Sequence, residues 1–278
     1  MPALITAFDA EERIDAAAHE HNLSVAVTAG TEGVLVAGST GEGPYLEPGE
    51  RELLNSITRG AFPDLTIICG ISAETDRQAQ IQMAEAEVGG ADAVLVTTPG
   101  TLVRNLLGLI TDFYLRIANA SPLPVVIYTV PGVTGYELPI EAVTELAGHP
   151  NIIGMKDSGG DVSRLDELLD IMNAGFVVYA GSSRALADSN DRGSFGAITA
   201  SANYLYPLVV AASTGDRNAQ TAVTDVTGIV ERHGVPGTKF AASLAGMQPG
   251  HSRLPLQPLD ATAQQSITDV LARFFPDR

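Results

Sequence analysis

Tryptophan is absent from the 278 residues, cysteine occurs once and lysine only twice. The single cysteine, Cys69, closes no disulfide within the chain. Its place in the apolar run LTIICGI reads as a buried core thiol, and that usage fits a reducing, cytoplasmic setting. No apolar run reaches the ~20 residues that cross a bilayer. The opening MPALITAFD is too short and too soon acidic for a secretory signal. Cations are scarce: 16 Lys+Arg stand against 33 Asp+Glu, a formal net charge of −17. That field repels a phosphate backbone and an anionic membrane, so neither nucleic acid nor membrane is an expected partner. A small anionic substrate stays compatible, because a pocket can be locally positive inside an acidic protein. None of the five histidines (His19, His21, His149, His233, His251) falls at a predicted strand end beside an acid. His19 and His21 lie two apart on a predicted helix and do not share a face. No metal site is expected. No GxGxxG opens a helix after the first strand, which argues against a dinucleotide site.

What is present is core. Hydrophobic residues make up 45% of the chain, and they fall in eight short, near-continuous runs. These are ALITAF (3–8), GVLVAG (33–38), LTIICGI (65–71), ADAVLVTT (91–98), PVVIYTV (124–130), NIIGMKD (151–157), FVVYAG (176–181) and GAITAS (196–201). Continuous rather than alternating apolar runs predict parallel strands covered on both faces. Amphipathic segments lie between them, at about 48–61, 74–90, 103–120, 139–148, 161–173 and 205–215. Eight such units in about 200 residues predict a closed (β/α)8 TIM barrel rather than an open sheet. The α/β barrel is assigned residues 1–215. Residues 216–278 are read as a helical appendix packed on it, with helices near 216–233, 238–246 and 261–275. The Pro-rich loop GMQPGHSRLPLQPLD is expected on the surface.

Catalytic groups of such barrels sit at the C-terminal ends of the strands. Lys156 ends the sixth run, behind apolar residues, in a partly dry interior that disfavours the ammonium and frees an amine nucleophile. Arginine cannot deprotonate to do this work, so a lysine retained among so few draws notice. The alternative is a lysine paired with neighbouring Asp157. Tyr128 ends the fifth run, where its phenol can relay protons; a core tyrosine bonded to a loop is the other reading. Ser39 and Thr40 follow the second run in GSTGE, where hydroxyls and successive N–H groups suit a carboxylate, although spacing alone favours an ordinary turn. SGGD (158–161) reads as a turn whose Asp161 caps the next helix. Gly181 and Ile198 fall at the mouth near the last two strands. Lys239 falls on the appended helices, where a solvated surface lysine is expected.

Several segments together resemble the dihydrodipicolinate synthase / N-acetylneuraminate lyase family of class I pyruvate aldolases. They are ALITAF, GSTGEGPYL, VVIYTVPGVTGYELP, HPNIIGMKDSGGDVSR, GAITASAN and RLPLQPL, in family order across nearly the whole chain. Residues 123–164 look closest to 4-hydroxy-2-oxoglutarate aldolases. The resemblance implies a Schiff-base lysine at Lys156, a proton-relay tyrosine at Tyr128, and pyruvate carboxylate binding by Ser39 and Thr40. Ser39 is counted with the catalytic group. Thr6, Gly38, Gly181, Ile198 and Val133 complete the expected substrate shell. No cofactor beyond the covalent imine is implied, and the assembly implied is a homotetramer, with a dimer as the alternative. Two departures bear on activity. Val133 stands in VPGVTG where relatives that condense aspartate semialdehyde carry an arginine, and valine supplies no bidentate fork. Gly100 and Thr101 stand where many relatives carry a tyrosine pair, so a relay is expected to be shortened, rebuilt through Thr101 or water, or impaired. The expected activity is cleavage or formation of a 4-hydroxy-2-oxo acid. The rival readings are the dihydrodipicolinate synthase reaction, a 2-oxo acid dehydratase using the same imine, and a non-catalytic regulatory barrel. The acceptor is expected to be chosen partly by loops 100–106 and 131–137.

Overall fold

Seven parallel strands pair in chain order: β1 (Gly33–Val36), β2 (Thr66–Ile71), β3 (Ala93–Thr97), β4 (Val125–Thr129), β5 (Ile152–Asp157), β6 (Val177–Ala180) and β7 (Gly196–Ala197). The computed structural model describes residues 1–275 other than Asn105 and Ala174. The eighth position is filled by the N-terminal segment. Pro2 bridges Thr199 and Ala3 bridges Leu35, both in parallel, and backbone bonds join Leu4 N–H to Leu35 O at 2.9 Å and Ala3 N–H to Thr199 O at 3.0 Å. The sheet therefore meets itself and no edge is left open. The first predicted run, 3–8, is displaced: the pairing that closes the sheet uses residues 1–4, and Phe8 instead bridges Ile14 and His251.

Helices follow the strands: α1 (Ala16–Thr28), α2 (Glu50–Ala61), α3 (Asp76–Val88), α4 (Leu107–Ala120), α5 (Pro131–Thr134), α6 (Ile140–Ala147), α7 (Val162–Asp170), α8 (Leu186–Asp191) and α9 (Tyr206–Ser213). The chain ends with α10 (Arg217–Val230), α11 (Gly234–Leu244) and α12 (Ala261–Leu271). Side-chain oxygens of Asp15, Thr75, Asp161, Asp216 and Asp260 cap helix N-termini, which satisfies donors the helix itself leaves open. Gly49, not Pro48, precedes the first residue of α2.

Alternation along each strand divides the core. Val94, Val96, Met155 and Val178 join the layer between strands and helices. Leu35, Ile68, Leu95, Val126, Tyr128 and Ile198 fill the barrel interior. Helices α10 and α12 share a third cluster with Ala180 of β6 and with Leu205 and Val209, so the C-terminal helices bury their apolar faces against the last barrel units. Residues 276–278, at the end of the predicted appendix, lie outside the described residues, as does Asn105 in the loop after β3.

The turn after β1 is crowded. Ala37 adopts a left-handed φ of 55°, and its carbonyl leaves no room for a Cβ at Gly43 or Gly70. Buried Arg51 ties both glycines down, donating from Nη2 to Gly43 O at 2.5 Å and from Nε to Gly70 O at 3.2 Å. Cys69 is fully buried, as expected, and burial pushes its thiol up to about 11.

Gly70→Ala forces backbone apart and is expected to destabilise by about 3 kcal/mol. Gly108→Ala, in an open helical position, is expected to be neutral or stabilising by about 0.5 kcal/mol. Denaturant titration of the two variants checks both, and a Gly70→Ala midpoint equal to wild type would contradict the crowding described.

Candidate active site

Strands β4 and β5 pair so that Tyr128 lies opposite Lys156. Along β5, Met155 belongs to the helix-side layer, so Lys156, one residue on, projects to the interior with Tyr128. Its Nζ stands 4.3 Å from the centre of the Tyr128 ring. Both side chains are buried at 5% exposure. The alternative pairing of Lys156 with Asp157 does not occur. Asp157 accepts from Arg164 Nε of α7 at 3.0 Å and from Gly159 N–H at 2.7 Å. Among the described residues, Lys156 has no ion-pair or hydrogen-bond partner.

Gly181 makes this space. Its N–H donates to Asp157 O at 2.6 Å, and a Cβ there would approach Lys156 Cε to 2.9 Å and overlap Ser158 Oγ. Ile198 is fully buried in the same interior cluster as Tyr128. Thr6 is committed elsewhere: its hydroxyl donates to Gly41 O at 2.6 Å and pins the GSTGE turn. Gly38 is buried in that turn, its carbonyl accepting from Gly43 N–H at 3.0 Å. Ser39 and Thr40 are half-buried, and their hydroxyls have no protein partner among the described residues. They line a cleft of about 490 Å³ with Val133, Ala200, Glu231 and Thr238. Ser39, Thr40, Val133 and Ala200 all follow strand C-termini, so the cleft opens at the end of the barrel that presents Tyr128 and Lys156. The predicted residues thus form two groups: Lys156, Tyr128, Gly181 and Ile198 inside, and Ser39, Thr40 and Val133 at the mouth.

Thr101, one of the candidates for a rebuilt relay, is bound to Glu74. Its hydroxyl donates to Glu74 Oε2 at 2.5 Å, and the Gly100 and Thr101 N–H groups donate at 3.0 and 3.1 Å. Tyr136 caps the same loop from within, its hydroxyl donating to Pro99 O at 2.7 Å.

Lys239 corrects its expectation. It is 4% exposed rather than solvated. Nζ meets Glu42 Oε1 at 2.5 Å and donates to His251 O at 2.5 Å. Glu42, fully buried with a left-handed φ of 57°, also accepts from the Arg253 N–H at 2.8 Å. The Arg253 guanidinium grips Glu50 at 2.5 Å and lies 4.2 Å over the Phe8 ring. The Pro-rich loop expected on the surface is therefore anchored through buried Arg253. Desolvation draws the Lys239 ammonium down, and Glu42 opposes that shift. The scarcity that singled out Lys156 applied equally to Lys239. Glu231 gave no signal at all in the sequence.

The family model described as "Dihydrodipicolinate synthetase family" matches residues 1–273. The chain belongs to the dihydrodipicolinate synthetase family. Members of this family are lyases and condensing enzymes of the class I aldolase type, and this protein is one of them. It is 31% identical over 284 residues to a 4-hydroxy-tetrahydrodipicolinate synthase of Methanosarcina barkeri, covering 98% of this chain and 97% of that one. It is 34% identical to an uncharacterized DapA-like lyase of Halobacterium salinarum, covering 94% and 88%. A solved putative dihydrodipicolinate synthase from Thermus thermophilus superimposes with TM-score 0.88 at 31% identity, covering 98% and 96%. A chloride-inhibited dihydrodipicolinate synthase from Acinetobacter baumannii, solved with pyruvate, gives 0.89 at 27%, covering 97% and 96%. The family fold agrees with the closed barrel and its C-terminal helices.

Removing one member of the Lys239–Glu42 pair leaves a buried charge uncompensated. Lys239→Met is expected to cost about 3–5 kcal/mol, and adding Glu42→Gln to restore part of that loss. Chemical denaturation of the single and double variants measures this, and strictly additive losses would contradict a direct pair.

Proposed function

We propose that this protein is a class I aldolase that uses pyruvate, or another small 2-oxo acid, as donor and cleaves or forms a 4-hydroxy-2-oxo acid. The observation that carries the reading is the Lys156 amine: buried, free of any protein partner among the described residues, and held against Tyr128. The relatives' names and the pyruvate bound to the Acinetobacter baumannii protein support the donor assignment.

The Nζ lone pair of Lys156 adds to the C2 ketone carbon. Tyr128 protonates the carbinolamine oxygen, which leaves as water, and an imine joins Nζ to C2. The C3–C4 bond then breaks and its electron pair flows into the protonated imine, giving an enamine. The C4 hydroxyl passes its proton to the Tyr128 phenolate and departs as an aldehyde. Protonation at C3 and hydrolysis return pyruvate and the free amine. Ser39 and Thr40 hold the donor carboxylate with their unpartnered hydroxyls. No cofactor enters this sequence, since the imine itself is the electron sink.

The dihydrodipicolinate synthase reaction is the second reading, favoured by the names of several relatives. Val133 weighs against it, because no guanidinium stands there for the second substrate's carboxylate. A homotetramer is the proposed assembly. Leu102, Leu106, Leu107 and Leu109, exposed at 93%, 49%, 41% and 51%, give a second copy an apolar face to cover.

Borohydride reduction with saturating pyruvate, followed by peptide mass mapping, is expected to leave a reduced pyruvyl adduct on Lys156 and none in Lys156→Ala. Folded protein with no adduct at that residue would end the pyruvate reading. Tyr128→Phe is expected to slow turnover by about 10²–10⁴-fold, as measured by initial rates. Light scattering is expected to return the mass of four 29.0 kDa chains; a monomer would refute the assembly.

A further inference from the structure

Glu231 follows the last residue of α10 and lines the cleft together with Val133, Ser39, Thr40, Ala200 and Thr238. Two ionisable carboxyls line this cleft, Glu42 and Glu231. Glu42 is already occupied, one oxygen by Lys239 Nζ and the other by the Arg253 N–H. Glu231 is free to meet a ligand. A row of buried hydroxyls lies near it: Ser183 Oγ and Ser201 Oγ are 2.8 Å apart, and Ser201 Oγ and Thr199 Oγ1 are 3.1 Å apart. The three are at most 3% exposed, and Glu231 itself lines the cleft.

Among the described residues, no lysine, arginine or histidine lines the cleft. Arg104 and Arg164 both reach the 131–138 segment, Arg164 through Glu137 at 3.4 Å. Arg104 Nε donates to Thr134 O at 3.0 Å and its guanidinium lies over Gly135 rather than in the cleft. Arg184 acts on Glu231 through space but makes no ion pair with it within the described contacts. Burial raises the pKa of Glu231, and Ser183 and Arg184 partly offset that rise.

Building on the aldolase reading, we propose that Glu231 selects the aldehyde partner. It accepts hydrogen bonds from a neutral, hydroxyl-bearing aldehyde and repels one that carries a carboxylate. The physiological 4-hydroxy-2-oxo acid then has an uncharged, hydroxylated tail rather than a second acid group. A carboxylate brought beside the Glu231 carboxylate, in a cleft lined by no cation among the described residues, is disfavoured by direct repulsion. A buried acceptor oxygen left without its hydroxyl donor is a further penalty.

The test condenses pyruvate at pH 8 with glycolaldehyde or with glyoxylate and compares kcat/KM for the two acceptors. Wild type is expected to favour glycolaldehyde. Glu231→Gln, isosteric and uncharged, is expected to raise relative use of glyoxylate by roughly ten-fold or more. Glu231→Asp keeps the charge and is expected to keep the preference, so it also controls for folding. Wild-type preference for glyoxylate overturns the assignment, whatever the variants do. So does an unchanged ratio in folded Glu231→Gln. The pyruvyl adduct on wild-type Lys156 is scored in parallel, because it forms before the acceptor enters. Its absence fails the aldolase reading itself, whereas its presence with unaltered selectivity fails the role of Glu231 alone.

Discussion

The pairing of β4 with β5, whose register shifts once between Val125 and Val126, is the constraint on which the site depends. Parallel hydrogen bonding fixes Tyr128 opposite Lys156, and strand pleating turns both inward. A one-residue slip would send the lysine into the apolar helix layer now occupied by Met155. Asp157 helps hold the register from outside by engaging Arg164, which also reaches Glu137 at 3.4 Å and donates to the Leu138 carbonyl. The amine is thereby left without a competing carboxylate in a closed interior, which is the environment a lysine needs to act as a nucleophile.

A second constraint sits beside the first, in the turn after β1. Ala37 bends back so sharply that Gly43 and Gly70 must lack side chains, and Arg51 and Thr6 lock the bend. The same turn carries Ser39 and Thr40 on its outer side and Glu42 on its inner side. Through Glu42 it is clamped by Lys239 of α11 and by Arg253 of the loop before α12. The C-terminal helices are thus joined electrostatically to the turn after β1 as well as packed on the last barrel units. An acidic chain has placed two of its few cations in this clamp, where replacement would leave Glu42 buried and unpaired.

Charge is distributed with the same economy at the mouth. The net −17 persists into the cleft, where carboxyls occur without a lining cation among the described residues. The hydroxyl-bearing Ser39 and Thr40 line this cleft together with the carboxyl-bearing Glu231. This differs from a pocket built around an arginine, and Val133 is the residue at which the two arrangements diverge.

The apolar runs determined the alternating β and α units, and the runs around Lys156 and Tyr128 placed both at strand ends, because period and burial are local properties of a parallel barrel. Cys69 in its apolar run and Asp161 before its helix were legible for the same reason. What tertiary structure decided is everything that depends on partners distant in the chain. The first strand was shifted because closure uses residues 1–4, while Phe8 is drawn to His251. Lys239 is buried rather than solvated because Glu42, far away in sequence, waits across the α11 contact. Arg253 turns a Pro-rich loop into an anchor, since Glu50 and the Phe8 ring meet it there. Glu231 enters the cleft only once α10 packs against α9. Sequence reports which faces are apolar and which residues end strands; which charges meet is fixed only when the barrel closes and its helices dock.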